Sequence, residues 1–486
     1  MNTFIEGNKF YLHKIFSTYK GKNAVKLDRN TLTYDDWAYH LIYTIQELKN
    51  LKINSGDRIA IYTDNSFEYL NIIFAAWISK VVVIPLSIRM PAEQILELKK
   101  EYNIKHIIVT KPINMDYLGI PIHQFSKSFR RRGRGAKRVY NLTYNWSIPL
   151  DQEATIIFTS GSTGKPKGIV HTVGNYLYSA LGSIEYFKME EGETSLLSLP
   201  LYHVGGLLIP FRSFLSGGIL ILPATLSKIG SAIRGQKPDF ISLVSTQLIR
   251  LINKDIMIPR LRLPKVIMVG GGPVPRWVVE FCQDKKIPIV LTYGLTESTA
   301  QMTATPLSSL AQSHQCVGRP LPYRELKLSQ DNEIMIRGKT LFKGYADGAS
   351  HIVTPFDQEG WFSTKDIGRF TENGELEIHE RKDLMFISGG ENIHPHTIEE
   401  NINRIPWVVE SIVVPIPHAE YGEVPFAFIE TARKIPLKKV ILHLKDILPS
   451  FMIPKKIVFL DPENKFKGLK YNREALKSQA KKLAIN

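Results

Sequence analysis

Thr159-Ser-Gly-Ser-Thr-Gly-Lys-Pro-Lys-Gly168 follows directly on an apolar run, Ala154 to Phe158, that reads as a buried strand. Ten residues of Gly, Ser, Thr, Lys and one Pro are expected to pack no core. They expose backbone N–H groups, hydroxyls and ammonium groups to one polyanion. Gly161 and Gly164 let the backbone approach phosphate oxygens closely. Thr159, Ser160, Ser162 and Thr163 add hydroxyl donors, and Lys165 and Lys167 add charge. A flexible surface loop is the plain alternative, but a linker rarely concentrates these groups right after a buried strand. The stretch is not a Walker loop, because Gly161 and Gly164 are too close and Pro166 follows Lys165. A different nucleotide chemistry is implied. After Ile169 the chain is expected to turn polar and then helical.

Working outward, 486 residues exceed one ordinary core and predict at least two domains. An apolar fraction of 44% with 22% charged residues is that of a soluble globular chain. Met1 to Lys14 has no apolar core of a secretory signal. Tyr69 to Ile88 is the best membrane candidate, but Lys80 interrupts it and Pro85 closes it, so a buried helix (69–79) and a strand (81–84) are expected. Cys282 and Cys316 give neither a disulfide framework nor zinc spacing, and a cytoplasmic location is expected. The net charge of +16 has three readings: a nucleic-acid footprint in the basic run Lys127–Arg138, a solvated basic surface, or a field that gathers anionic substrates. The run has one aromatic residue and no nucleic-acid motif around it, which disfavours the first.

Strand-length apolar runs are expected at 58–62, 81–85, 106–110, 154–158, 195–199, 218–222, 240–244, 265–269 and 287–291, with helical patterns at 33–48, 67–79, 92–99 and 274–283. That alternation predicts α/β layers with largely parallel sheets. Shorter strands follow over 327–337 and 375–379, the latter after the Asn373-Gly374 turn signal. From about Leu384 the pattern becomes that of a small α+β unit.

Four further motifs carry chemistry. In Leu291-Thr-Tyr-Gly-Leu-Thr-Glu297 a strand ends, Gly294 turns, and Thr296 and Glu297 project polar groups. Ligands gather at the carboxyl ends of such strands. A carboxylate beside a triphosphate suits Mg²⁺, although Glu297 in isolation also suits helix capping. In Gly360-Trp-Phe-Ser-Thr-Lys-Asp-Ile-Gly368, Asp366 is expected just after a short aromatic strand, where it could accept both hydroxyls of a ribose or merely begin a turn. In Glu380-Arg-Lys-Asp-Leu-Met-Phe-Ile-Ser-Gly-Gly-Glu-Asn-Ile393, Gly389 and Gly390 follow an expected strand over 384–387 and would let a narrow ligand run along the backbone. Lys467-Gly-Leu-Lys-Tyr-Asn-Arg473 is a basic stretch near the end of the chain.

In this order and spacing the five motifs resemble the adenylate-forming superfamily, which includes acyl- and aryl-CoA synthetases, adenylation domains of peptide synthetases, and luciferases. The resemblance spans about Thr33 to Leu476. It implies an α/β fold: a large N-terminal AMP-binding domain of layered sheets (1–382) and a small mobile α+β C-terminal lid (383–486). It implies two half-reactions, in which a carboxylate attacks the α-phosphorus of Mg·ATP and a thiol then takes the acyl group. By the same resemblance, Thr159–Gly168 would hold the β- and γ-phosphates. Gly271, Gly272 and Pro273 would lie along the adenine, Tyr293 would stack on it, and Gly294 would belong to the same site. Thr296 would contact the α-phosphate, Glu297 would ligate Mg²⁺, and Asp366 with Arg381 would bind the ribose. Asp383 would be the hinge. Lys470 would bridge carboxylate and phosphate oxygens during adenylation, and Gly389 with Gly390 would line the path of the CoA pantetheine.

Within the superfamily the chain is most similar to the o-succinylbenzoate–CoA ligases of menaquinone biosynthesis. Ser198-Leu-Pro-Leu-Tyr-His-Val-Gly-Gly-Leu207, Ser242-Leu-Val-Ser-Thr-Gln-Leu248 and Phe466–Arg473 carry that likeness. It implies an acyl pocket shaped by His203, Thr246 and Gln247, with ATP, CoA, Mg²⁺ and a carboxylic acid, o-succinylbenzoate, as reactants. Three positions depart from the pattern. Gly205 stands where these ligases often carry Ser, Glu380 replaces a Gly, and Leu384 replaces a polar residue. The competing readings are another aryl- or acyl-CoA ligase, a stand-alone adenylation domain that loads a carrier protein, and a basic RNA-binding protein. A pure binder has no use for Glu297 and Lys470 together. No nucleic-acid partner and no membrane span are expected, and a homo-oligomer is left open.

Overall fold

The computed structural model describes residues 2–28, 30–110, 122–124, 146–160, 166–307, 316–433, 436–460 and 471–485. Gly161, Ser162, Thr163, Gly164 and Lys165, the basic run Lys127–Arg138, and Lys470 lie outside the described residues, as do the side chains of Ser160 and Asp383.

Two large sheets organise the first three quarters of the chain. One sheet of eight strands runs in the order His351–Val353, Gly344–Asp347, Pro166–Thr172, Glu153–Ser160, Val82–Pro85, Arg58–Ile61, Ile104–Val109, Ile122–Gln124. Its last five strands are mutually parallel. The second sheet holds Asn23–Lys26, Ile219–Ile221, Thr194–Leu196, Phe240–Val244, Val266–Gly270 and Ile289–Tyr293 as one parallel set. Beyond Ile289–Tyr293 it turns antiparallel, through Thr303–Ala304 and Cys316–Pro320 to the hairpin Phe362–Phe370/Leu376–Arg381.

The strands form for the reason their composition suggests: β-branched runs between helices leave both faces of a parallel sheet covered. Helix Phe67–Ile78 shows the same logic. Ser66 caps it by accepting from the Tyr69 N–H, and Phe67 and every residue from Tyr69 to Trp77 are buried. A helix apolar all round at this length belongs in a core. Here it meets an aromatic cluster in which the Trp77 and Phe211 rings stack at 5.0 Å and Phe74 and Phe214 lie 5.1 Å apart. No helix among the described residues is long and apolar enough to cross a membrane.

A smaller α+β unit follows. Strands Glu391–Ile393, Phe386–Ser388, Gly422–Thr431 and Val408–His418 pair in that order, with Lys456–Phe459 parallel to Gly422–Thr431. Period-two alternation splits its two cores. Ile412, Val414, Ile416, Phe426 and Phe428 pack with Tyr471 and Leu476 on one face, and Val413, Ala427 and Ile429 pack with Ile398 and Leu444 on the other. This unit docks on the large sheets. Trp277 Nε1 donates to the Val408 carbonyl at 3.2 Å, Val409 joins the core behind strand Val266–Gly270, and Arg250 pairs with Glu430 at 3.8 Å.

Four expectations are corrected. The chain does not leave its strand as a loop running through Gly168. It forms a β-hairpin, with Thr159 opposite Lys167 and Ser160 opposite Pro166, and a helix starts only at Val173. Pro166 opens the return strand, where its missing N–H is tolerated. Gly168 is buried after all: a Cβ there would press on Ile156, Tyr102 and Phe158. Asp366 lies inside strand Phe362–Phe370, not after it. The apolar 384–387 segment is split between a 3-10 turn, Lys382–Leu384, and strand Phe386–Ser388. Helix Val204–Ser216 was not anticipated, because Gly205, Gly206 and Pro210 are poor helix formers. Burial of Leu207, Leu208, Phe211 and Phe214 outweighs that propensity.

Candidate active site

The carboxyl ends of three neighbouring parallel strands open into one cavity of about 400 Å³. Ser245 and Thr246 follow strand Phe240–Val244, Gly271 to Pro273 follow Val266–Gly270, and Gly294 follows Ile289–Tyr293; all line the cavity. Gly294 has a strict reason to be glycine, since any Cβ would overlap the Ala300 carbonyl oxygen. The opposite wall comes from the C-terminal unit and includes His394, Glu399, Glu410, Tyr471 and Arg473.

Asp366 and Arg381 are fifteen positions apart in the chain but are directly opposed partners in the antiparallel hairpin. Thr371 accepts from the Gly374 N–H to close its turn at Asn373-Gly374. The register therefore brings the guanidinium to 3.4 Å from Asp366 Oδ1. Tyr293 donates its hydroxyl to Asp366 Oδ2 at 2.6 Å. Burial, reinforced by the Asp366 charge, holds the Tyr293 hydroxyl well above its ordinary range, so it remains a donor. Tyr293, Asp366 and Arg381 thus form one chain of contacts on the cavity wall.

The Thr296–Glu297 segment is fixed from the first sheet. The Glu297 carbonyl accepts from the Phe342 N–H at 2.8 Å, and its carboxylate accepts from Tyr345 Oη at 2.9 Å. Tyr345 stands opposite Ile169 on the return strand Pro166–Thr172, and Lys167 Nζ lies 5.5 Å from its ring. A half-buried carboxylate is therefore held beside the hairpin base. His171, on the same return strand and fully buried, donates from Nε2 to the Thr296 carbonyl at 2.7 Å. Neither Tyr345 nor His171 was singled out from sequence.

The expected acyl-pocket residues separate. Thr246 is buried and lines the cavity. His203 caps helix Val204–Ser216 with its backbone, half-buried, its ring centroid 4.7 Å from that of Tyr202. Gln247 spends its amide on the backbone: Oε1 accepts from Val244 N at 3.1 Å and Nε2 donates to the Ser198 carbonyl at 3.0 Å. Neither His203 nor Gln247 is among the residues lining the cavity. Asn65 clamps the Ser198–His203 loop, donating to Leu199 O at 2.8 Å and accepting from Leu201 N at 2.9 Å.

A further polar residue lies on that helix. Arg212 is 3% exposed and donates to Ser242 Oγ and Gln301 Oε1, both at 2.8 Å. Burial lowers its pKa to about 10, which leaves it cationic at neutral pH. No carboxylate among the described residues pairs with it. The sequence held little signal for it, since one Arg in an apolar helix also suits a helix end. Gly389 and Gly390 form the tip of the hairpin Phe386–Ser388/Glu391–Ile393, both with positive φ (58° and 88°), away from the cavity lining.

Residues 397–465 match the AMP-binding enzyme C-terminal domain, and residues 12–346 match the AMP-binding enzyme family. A 2-succinylbenzoate–CoA ligase of Bacillus cereus is 28% identical over 467 residues, covering 92% of this chain and 94% of the relative. The o-succinylbenzoate coenzyme A synthetase MenE of Bacillus subtilis in complex with AMP superposes with a TM-score of 0.81 at 25% identity, over 96% of this chain and 98% of that one. Wild-type E. coli MenE with a bound m-phenylether-linked analogue of OSB-AMS superposes at 0.75 with 25% identity, over 98% and 100%. The fold is accordingly the adenylate-forming one expected from the motifs, and with the match over 12–346 the chain belongs to the AMP-binding enzyme family.

Proposed function

We infer that the protein is an ATP-dependent acid–thiol ligase that converts o-succinylbenzoate to o-succinylbenzoyl-CoA in menaquinone biosynthesis, in the cytoplasm, with residues 1–382 and 383–486 as its two working domains. The observation that carries this reading is the joining, in one cavity at strand carboxyl ends, of the Tyr293–Asp366–Arg381 chain with a glycine-lined floor, whose Gly294 lies three positions before Glu297 in the chain. The names of the curated relatives add the substrate.

In the first half-reaction a substrate carboxylate oxygen attacks the α-phosphorus, and the bond to the bridging pyrophosphate oxygen breaks. In the second the CoA sulfur attacks the acyl carbonyl carbon and AMP leaves. Asp366 would accept the ribose hydroxyls, with Arg381 and Tyr293 holding it in place. Thr296 would steady the α-phosphate, and the hairpin at Thr159–Gly168 would bind the outer phosphates. The residues suit Mg²⁺: Glu297 offers a hard oxygen ligand, and the triphosphate and water would supply the rest. Bound there, the ion would neutralise charge developing on the phosphates. A pyrophosphate-release screen over carboxylic acids, with and without CoA, tests the assignment. AMP and pyrophosphate should form only with acid and Mg²⁺ present, and o-succinylbenzoate should exceed benzoate and medium-chain fatty acids in kcat/KM. ADP as product would end the adenylation reading. A fatty acid or benzoate as best substrate would leave only the general acyl-CoA ligase.

Arg212 is not among the residues lining the cavity, but its burial without a carboxylate among the described residues favours a dianionic substrate. A buried guanidinium without a carboxylate is costly, and a ring carboxylate would offset that cost. It could also replace the hydroxyl missing at Gly205. Arg212→Met should lower kcat/KM for o-succinylbenzoate by about 100-fold, on the order of 3 kcal/mol for a lost charge-assisted pair. The same change should leave Tm unchanged or raised, because it removes an uncompensated buried charge. Equal losses for o-succinylbenzoate and for a monoacid substrate would exclude that role.

A further inference from the structure

We propose that His171 is a positioning residue for nucleotide-bound metal: its tie to the Thr296 carbonyl sets the Glu297 carboxylate against the phosphate-loop hairpin. The proposal rests on the ATP-dependent reading of the site.

The attachments of Glu297 divide into two groups. Its carbonyl and carboxylate are both held from the segment around strand Gly344–Asp347, by the Phe342 N–H and by Tyr345 Oη. That strand is in turn fastened to the return strand of the hairpin, with Ile169 opposite Tyr345 and the Lys343 N–H on the Val170 carbonyl at 2.8 Å. The peptide preceding Glu297 is held differently. Its carbonyl, that of Thr296, receives the Nε2–H of His171 at 2.7 Å, directly from the return strand. Since a carbonyl only accepts, this bond also selects the tautomer: Nε2 carries the proton and Nδ1 is bare.

Packing alone does not account for a histidine here. His171 is 0% exposed, with its ring 5.5 Å from that of Tyr176. Its Nδ1 is buried without a hydrogen-bond partner. A leucine would fill similar volume and leave no orphaned nitrogen, so the side chain carries a desolvation cost in return for one bond. Burial depresses its pKa to about 4, so the tie stays neutral and intact at assay pH.

The segment it restrains is one that would otherwise relax. Thr299 and Ala300, just beyond Glu297, both have positive φ (52° and 77°), unfavourable for a β-branched residue. Such a conformation persists where the surroundings over-determine it. Ser179 Oγ donates to the Thr299 carbonyl at 2.6 Å, and Thr299 Oγ1 donates to the Thr340 carbonyl at 2.7 Å. These bonds hold the far end of the turn, and His171 holds its near end. Groups that orient a metal ligand from behind typically change metal affinity by about 10–100-fold when removed.

The test uses Mn²⁺ as probe, with its binding to the enzyme·ATP complex followed by electron paramagnetic resonance in the absence of any carboxylic acid. His171→Leu should weaken Mn²⁺ binding by about tenfold, with Tm equal to wild type or higher. His171→Gln, whose side-chain amide can donate to the same carbonyl, should bind Mn²⁺ within about twofold of wild type. Wild-type Mn²⁺ affinity in His171→Leu overturns the proposal, as does a parallel loss of affinity and Tm in both variants. Should the leucine variant not fold, a tenfold loss in His171→Gln is enough to overturn it. Because no acid is present, this outcome is independent of the ligase reading, which fails separately if wild-type ATP–pyrophosphate exchange does not require an acid.

Discussion

Lys470→Ala should lose acyl-adenylate formation by about 150-fold or more while forming thioester from pre-made acyl-adenylate at close to the wild-type rate. The reason is electrostatic. In the first half-reaction a carboxylate approaches a phosphate, and a pentacoordinate phosphorus gathers further negative charge. One aimed ammonium at that point is worth on the order of 3 kcal/mol, because it acts from a fixed position in a site with little water. The second half-reaction joins a thiol to a neutral carbonyl and, in the alternating-domain scheme, proceeds with the lid turned away. Lys470 itself lies outside the described residues, but the chain just after it is anchored at the cavity. Tyr471 donates to Glu430 at 3.2 Å, Arg473 donates to the Val413 carbonyl at 2.9 Å and pairs with Glu399 at 2.6 Å, and both residues line the cavity shared with Asp366 and Arg381. ATP–pyrophosphate exchange reads the first step, and AMP release from synthetic acyl-adenylate plus CoA reads the second. Equal losses in the two assays would count against a lid-borne lysine.

Asp366→Ala should weaken AMP binding by about 100-fold or more. Two native partners converge on this carboxylate, the Tyr293 hydroxyl at 2.6 Å and the Arg381 guanidinium at 3.4 Å. Removing it takes the acceptor from a buried hydroxyl and a negative charge from beside Arg381, besides losing the ribose contacts. Leaving a buried donor unpaired costs roughly 1–3 kcal/mol, and the lost charge opposite the 41% exposed Arg381 side chain adds little in comparison. Part of that cost falls on folding, so Tm should drop as well. Asp366→Asn should lie between, since its amide oxygen still accepts from Tyr293 while the charge facing Arg381 is gone. Calorimetric titration with AMP separates the three proteins. An alanine variant within threefold of wild-type affinity would remove Asp366 from the nucleotide site.

Part of the candidate site was legible in the chain: Thr246, Gly271, Gly272, Pro273, Tyr293, Gly294, Asp366 and Arg381 line one cavity, whereas His203 and Gln247 do not, and Tyr345, His171 and Arg212 were not read from sequence. The run at Thr159–Gly168 was read as an anion-binding stretch from its composition, which is local. The parallel strands and their helices announced themselves through periodicity, also local, and most boundaries fell within a few residues: Phe240–Val244 was read as it stands, and Ile287–Leu291 became Ile289–Tyr293. The helix expected over 33–48 runs Tyr34–Asn50, and the structure shows its start fixed by a capping box between Thr33 and Asp36.

What the sequence by itself determined, then, was the family, the layered α/β order and the identity of the motif residues, because each is written within a window of a few residues. Pairing across the fold was decided by the tertiary structure. That the two ends of the Thr159–Gly168 run face each other depends on Pro166–Thr172 finding Glu153–Ser160 as partner. That Asp366 meets Arg381 depends on strand register, in which a slip of one residue would turn the side chains to opposite faces. His171 and Arg212 were passed over for the same reason. A histidine in a strand and an arginine in an apolar helix acquire meaning only when long-range packing buries them, because burial sets which polar atoms must find a partner and which charges are left to meet a ligand.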